Sequence, residues 1–119
     1  MPINIHNFGG EMGHGLVTDT LIPKGTTLFV ANMISVTDDM IPPYYYVNSI
    51  IDYRQEQYID TNYDSAANRP LWTYLNSNNH ANNVEARQIA VNGTLTRIVF
   101  YACKRIPAGS QLLLPYNWE

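Results

Sequence analysis

The chain has 119 residues, enough for one domain with a single core and too few for two catalytic units. With 45% hydrophobic, 12% aromatic and only 14% charged residues it is too apolar for a disordered tail, and it predicts a folded domain with a weakly charged surface. A net charge of −3, with seven basic residues dispersed along the sequence, argues against a nucleic-acid groove, which needs a basic stripe to neutralise phosphates; a basic peptide suits the domain better.

Taken in chain order, the first punctuation is "GGEMGHG", with Gly9, Gly10, Gly13 and Gly15. Glycine lets backbone approach a ligand closely, yet the spacing is neither a dinucleotide fingerprint nor a phosphate loop, so the plainer reading is a turn. "LIPKGTTL" (21–28) follows and returns as "RIPAGSQL" (105–112), each with Ile-Pro-x-Gly, the pattern of a turn with Pro second and Gly fourth that leads into a strand. The simplest account of the repeat is two similar hairpin entries. Residues 28–36, 94–103 and 111–114 are rich in β-branched, aromatic and leucine residues and read as strands. Asn92-Gly93 between apolar flanks reads as a tight hairpin turn. The segment 44–58, entered by Pro42 and Pro43, is the best helical candidate in the chain. The expectation is a mainly β domain, α+β at most, occupying residues 1–119.

Chemistry-bearing residues are sparse. His6, His14 and His80 lie far apart and, with the single Cys103, lack the spacing of a metal site, so no metal is expected. No nucleophile elbow occurs, and Cys103 falls in a strand-like run where cysteine behaves as a small hydrophobe. No stretch approaches the ~20 apolar residues of a membrane-spanning helix, and no basic segment precedes an apolar run at the N-terminus, which points to an intracellular protein. Two features stand out. Nine tyrosines against three phenylalanines supply apolar walls with polar tips, and such rings attract an alkylammonium. The run "YLNSNNHANNVEA" (74–86) carries asparagines at 76, 78, 79, 82 and 83, either a solvated loop or polar backbone threaded through a site.

The order of these features resembles the SET domain of protein lysine methyltransferases, and its PR-type branch most closely. Gly13-His14-Gly15 with "LVTDTLIPKGTTL" looks like the family's N-terminal G-x-G, strand and I-P-x-G turn. "YIDTNYDSAANRPLWTYLN" is similar to its Tyr-Ile-Asp block leading into asparagine, and "IVFYACKRIPAGSQLLLPYNWE" resembles its last strands and terminal tyrosine. Asn76 and Asn82 match the ends of the family's Asn-His-Ser-Cys-x-Pro-Asn element. Ser77 stands at the His position, which PR-type members also change, and Ala81 stands at the Pro; a domain without a cysteine-rich post-SET segment is expected.

The resemblance implies several small sheets and a C-terminal pseudoknot in which 76–83 passes beneath the segment around 114–118. It also implies S-adenosylmethionine as methyl donor, held by Gly13, His14, Gly15, Asn76 and Ser77. Tyr116 is the implied catalytic tyrosine, acting first by positioning, since an ordinary phenol titrates at about 10. Tyr53, Tyr58, Tyr74, Leu114 and Trp118 are the implied substrate channel. The substrate class is a basic, histone-like tail and the compartment a nucleus, with no membrane or direct nucleic-acid contact and with a homodimer left open. The alternative is an inactive module of this fold that binds a peptide or partner protein.

Overall fold

The computed structural model describes residues 2–10, 13–36, 50–53, 56–62 and 69–115. Among them nine strands form sheets of two, five and two strands. β1 (Ile3–Asn7) and β2 (His14–Thr18) are an antiparallel hairpin. Its loop is the glycine cluster: Gly9, Gly10 and Gly13 have φ of +73°, +55° and +63°, the left-handed region that glycine enters without penalty. The Phe8 N–H closes the loop on the Gly13 carbonyl at 2.8 Å.

The large sheet runs β4-β5-β3-β8-β7, from β3 (Thr27–Val36), β4 (Ile50–Tyr53), β5 (Glu56–Asp60), β7 (Val84–Val91) and β8 (Thr94–Ala102). β4 and β5 correct the helical reading of 44–58. Where that segment is described it is an antiparallel pair with Ile50 opposite Ile59 and Ile51 opposite Tyr58. β-branched and aromatic residues favour pleated surface, and pairing β5 to β3 buries Tyr58 and Ile59, a gain no single amphipathic face of this segment offers. Residues 44–49 and 54–55 lie outside the described residues. The Asn92-Gly93 turn joins β7 to β8 with φ of +53° and +80°, positive at both central positions as a right-twisted two-residue hairpin requires.

The two Ile-Pro-x-Gly turns have a shared role. In each, the hydrogen bond runs from the residue after Gly to the proline carbonyl, Thr26 to Pro23 at 3.3 Å and Ser110 to Pro107 at 3.2 Å. Proline is therefore first and glycine third, where φ of +90° at Gly25 and +86° at Gly109 makes a type II turn; the register is one residue later than the sequence pattern predicts. The turns also face each other. Ile22 and Ile106 exchange backbone bonds of 2.8 and 2.9 Å, and both side chains are fully buried.

The core lies on the inner face of the large sheet, where Ala31, Met33, Val84, Ile98 and Phe100 meet Leu16, Leu112 and Leu114. Trp72, on a 3-10 turn η1 (Leu71–Tyr74), stacks on Phe100 with ring centres 5.3 Å apart. Its indole N–H donates to Asp60 Oδ2 at 2.7 Å, satisfying a carboxyl only 2% exposed. β6 (Asn76–Ser77) and β9 (Leu113–Leu114) form the last, parallel pair.

Candidate functional site

The site grows from the chain leaving η1. Pro70 opens this turn and the Thr73 hydroxyl donates to the Pro70 carbonyl at 2.7 Å, while Arg69 Nε donates to the same hydroxyl at 2.7 Å and Nη2 to the Thr73 carbonyl at 3.1 Å. The turn is thereby locked, and it delivers Tyr74 and Asn76 in a fixed orientation.

From there the asparagine run is fastened residue by residue. Asn76 Nδ2 donates to the His14 carbonyl at 3.2 Å and to Gln111 Oε1 at 2.8 Å, tying β6 to both β2 and the C-terminal segment. Asn78 donates its N–H to the Leu114 carbonyl at 2.7 Å, and its side-chain oxygen accepts from the N–H groups of His80 and Ala81, forming a local turn. Asn83 acts as a strand residue made partly of side chain: its N–H donates to the Leu113 carbonyl at 3.0 Å, its Oδ1 accepts from the Leu113 N–H at 2.8 Å, and its Nδ2 donates to the Gln111 carbonyl at 2.9 Å. Both ends of the run are held to Leu113 and Leu114. It is a passage pinned against the C-terminal strand, and the part of that segment from residue 116 onward lies outside the described residues.

Beside the passage lies a cavity of about 260 Å³ lined by His14, Arg69, Thr73, Tyr74, Leu75 and Asn76. The Arg69 guanidinium sits over the Tyr74 ring, 4.1 Å from its centre, and the His14 ring approaches Tyr74 edge-on at 6.4 Å. Such stacking sets the cation against an aromatic wall. The neighbouring Gly15 leaves room for the Asn76–Gln111 clamp: a β-carbon there would fall 2.7 Å from Asn76 Nδ2 and from Gln111 Oε1, so those side chains would have to shift. Its space is taken by the protein's own amide clamp.

Of the residues singled out from sequence, His14, Tyr74 and Asn76 share this cavity, Gly15 abuts Asn76, Gly13 closes the β1–β2 loop, and Ser77 pairs with Leu114. Tyr74, expected in the substrate channel, thus groups with residues expected to hold the donor. Leu114 is buried at 3% exposure and Tyr58 at 1%, both inside the core, where their size serves packing. Tyr53 is described only as backbone of β4, and Tyr116 and Trp118 lie outside the described residues.

Sequence reasoning missed Arg69, Gln111 and the particular part played by Asn83. Arg69 carried a weak signal, four residues before Thr73 across a proline. Gln111 carried none, because a glutamine opening an apolar strand is unremarkable.

Away from the cavity, two groups are electrostatically displaced. The Tyr101 hydroxyl bonds Glu85 Oε2 at 2.9 Å and this bond raises its pKa. Burial, and then the charge of Glu85, pushes the Cys103 thiol up.

The sequence pattern of the SET domain matches residues 13–117. No curated protein matches significantly. Among solved structures, a candidate histone methyltransferase of Plasmodium falciparum shares the fold with a TM-score of 0.67 at 16% identity, over 99% of this chain and 95% of that one. The family match begins at the glycine that closes the first hairpin and takes in the pinned asparagine passage and the strand that pins it, so this chain belongs to the SET-domain family.

Proposed function

We propose that the chain transfers a methyl group from S-adenosylmethionine to a lysine of a basic, histone-like protein tail. The observation that carries this reading is the meeting of His14, Tyr74 and Asn76 around one cavity beside the Gly13–Gly15 arm, in a family of methyltransferases. The cavity is smaller than the ~300–1,000 Å³ of pockets that enclose a whole small molecule, so it suits the amino-acid end of the donor. Arg69, its Nε and Nη2 turned on Thr73, adds positive charge to the cavity wall. The two amide hydrogens of Asn76 are committed to His14 and Gln111, which leaves its side-chain oxygen as an acceptor for an ammonium. The donor supplies an electrophilic methyl on a sulfonium, so the protein needs to align the reactants and exclude water, and alignment alone can lower a barrier by several kcal/mol. Tyr116, two residues beyond Leu114, is the proposed positioning hydroxyl at the transfer point, and Tyr53 and Trp118 the proposed channel.

Charge favours a cationic substrate. Eight of the ten acidic residues fall within 1–68, against two basic ones. Action on histones would place the protein in a nucleus, its own or a host's. A second reading, an inactive peptide-binding module, draws on Ser77 at the position where most of the family has histidine. Incubation with methyl-labelled S-adenosylmethionine and a panel of histone tails separates the two: label on one lysine supports the transferase, and tail binding with no label under any condition supports the binder.

A further inference from the structure

The outer face of the large sheet, opposite the core and η1, is patterned in a way that methyl transfer does not use. Antiparallel register sets Arg87 opposite Val99, and Val99 opposite Val30; one step along, Ile89 lies opposite Arg97, and Arg97 opposite Asn32. Alternation puts all six on one face. The result on β7 and β8 is a checkerboard, with two guanidinium groups on one diagonal and two aliphatic side chains on the other. Diagonal neighbours in a sheet stand about 7–8 Å apart. A groove of about 430 Å³ runs over this square and is bounded by Tyr101 and Thr27.

Four observations say what would cover it. Neither Arg87 nor Arg97 makes a hydrogen bond or ion pair with another described residue, and both are exposed. On β7 and β8 the one carboxylate that shares this face, Glu85, is taken by the Tyr101 hydroxyl. Residues 69–115 carry Arg69, Arg87, Arg97, Lys104 and Arg105 against Glu85 alone, so this part of an acidic chain is basic. Exposed Val30 and Ile34, at 46% and 44%, extend the apolar part across β3. Two arginines neutralise few phosphates, and the affinity of a nucleic-acid backbone rests on the number neutralised, while the aliphatic diagonal would meet only sugar and phosphate.

We propose that this face docks an extended acidic–apolar segment of a partner protein, with carboxylates two residues apart paired to Arg87 and Arg97 and the next sheet-facing positions apolar, seated on exposed Val30 and Ile34. An extended chain repeats a side chain on one face every ~6.6–6.8 Å, which fits the arginine diagonal. Guanidinium groups bind carboxylates in two-pronged fashion, so register as well as charge is selected. The site is separate from the methyl-transfer cavity, and the proposal stands or falls independently of the proposed reaction.

The test is fluorescence anisotropy of the full chain with a labelled peptide in which two glutamates stand two residues apart and valines take the next alternate positions on either side, so that all share one face, beside its glutamine twin and a short DNA duplex. The expected result is saturable, salt-sensitive binding of the glutamate peptide, about tenfold or more tighter than the twin, and its loss in Arg87→Glu/Arg97→Glu with melting temperature unchanged. Arg87→Lys/Arg97→Lys, which keeps the charge and loses the fork, should retain only part of the affinity. Equal binding of the glutamine twin, full binding by the charge-reversed variant, or preference for DNA would each overturn the proposal.

Discussion

Asn83→Ala is the most direct test of how the asparagine passage is closed. The substitution removes two half-buried side-chain bonds, Leu113 N–H to Oδ1 at 2.8 Å and Nδ2 to the Gln111 carbonyl at 2.9 Å, and leaves both backbone groups without those partners. At about 0.5–1.5 kcal/mol per bond, with the added cost of an unsatisfied half-buried group, the expected loss is about 2–3 kcal/mol. Asn82→Ala is the control, since among the described residues its amide meets only the Cys103 sulfur at 3.7 Å, and its cost should stay below ~0.5 kcal/mol. Asn83→Asp keeps the acceptor for Leu113 but turns a second acceptor on the Gln111 carbonyl. It should fall to the alanine level at neutral pH and recover in acid, because the repulsion raises the new carboxyl's folded pKa, and a group so raised is stabilising below it. Urea midpoints at constant slope measure all three. Stability of Asn83→Ala within ~0.5 kcal/mol of the parent, or equal to that of Asn82→Ala, would refute the claim that these bonds close the passage.

Gly15→Ala should destabilise by about 1–3 kcal/mol and weaken binding of S-adenosylmethionine in calorimetry, because its β-carbon displaces the Asn76–Gln111 clamp; unchanged stability and affinity would show that the clamp yields freely. Tyr116→Phe should keep donor affinity and lower turnover at least tens-fold, a barrier rise of about 2 kcal/mol; an active parent whose variant retains full turnover would move the transfer point elsewhere. Stability should fall in alkali. The Tyr101 phenol, raised by its bond to Glu85, and the Cys103 thiol, raised by burial, hold their protons more tightly folded than unfolded, so stability declines as pH climbs past their ordinary values of 10.0 and 9.0. Glu85→Gln should flatten that decline and speed alkylation of Cys103 by iodoacetamide, and a parallel-shifted curve with an unchanged alkylation rate would disprove the role of Glu85.

Local pattern explains why some of this was legible and some was not. Thr27–Val36 and Thr94–Ala102 announce themselves because their side chains fit pleated surface whatever lies across from them, and Asn92-Gly93 because few other pairs take positive φ twice. The hairpin of β4 and β5 was misread because the helical and extended forms of 44–58 differ only in what they pack against, and the partner, β3, lies far back in the chain. The asparagine run was recognisable as a structured element from its place in a family order of motifs, whereas its individual bonds were not. Nothing in "NNHANN" distinguishes Asn83, which substitutes for a strand, from Asn82, which touches a sulfur. Arg69 belongs to the same class: a lone arginine in a polar stretch becomes a site residue only once η1 lays it on Tyr74.

The repeated Ile-Pro-x-Gly turns show how the cavity depends on distant contacts. Ile22 and Ile106 lock the two turns together, and from that bridge the segments diverge in register, so the Thr18 carbonyl receives Gly109 and the Leu16 carbonyl receives Leu112. Residues 109–112 thereby become a third strand-like edge beside β2, and Gln111 lands where its amide oxygen meets Asn76. Glycine at 15 leaves the space for that meeting. The pin on the asparagine passage is therefore set by a turn pair more than eighty residues apart in sequence, each half of which, taken alone, is an ordinary entry to a strand. An insertion of one residue between Gly109 and Gln111 would leave the Ile22–Ile106 bridge intact and flip the glutamine to the other face of the segment, because side chains alternate along extended backbone. Such a chain should fold with its core nearly unchanged and lose the clamp on Asn76, which separates the contribution of the bridge to stability from its contribution to the site.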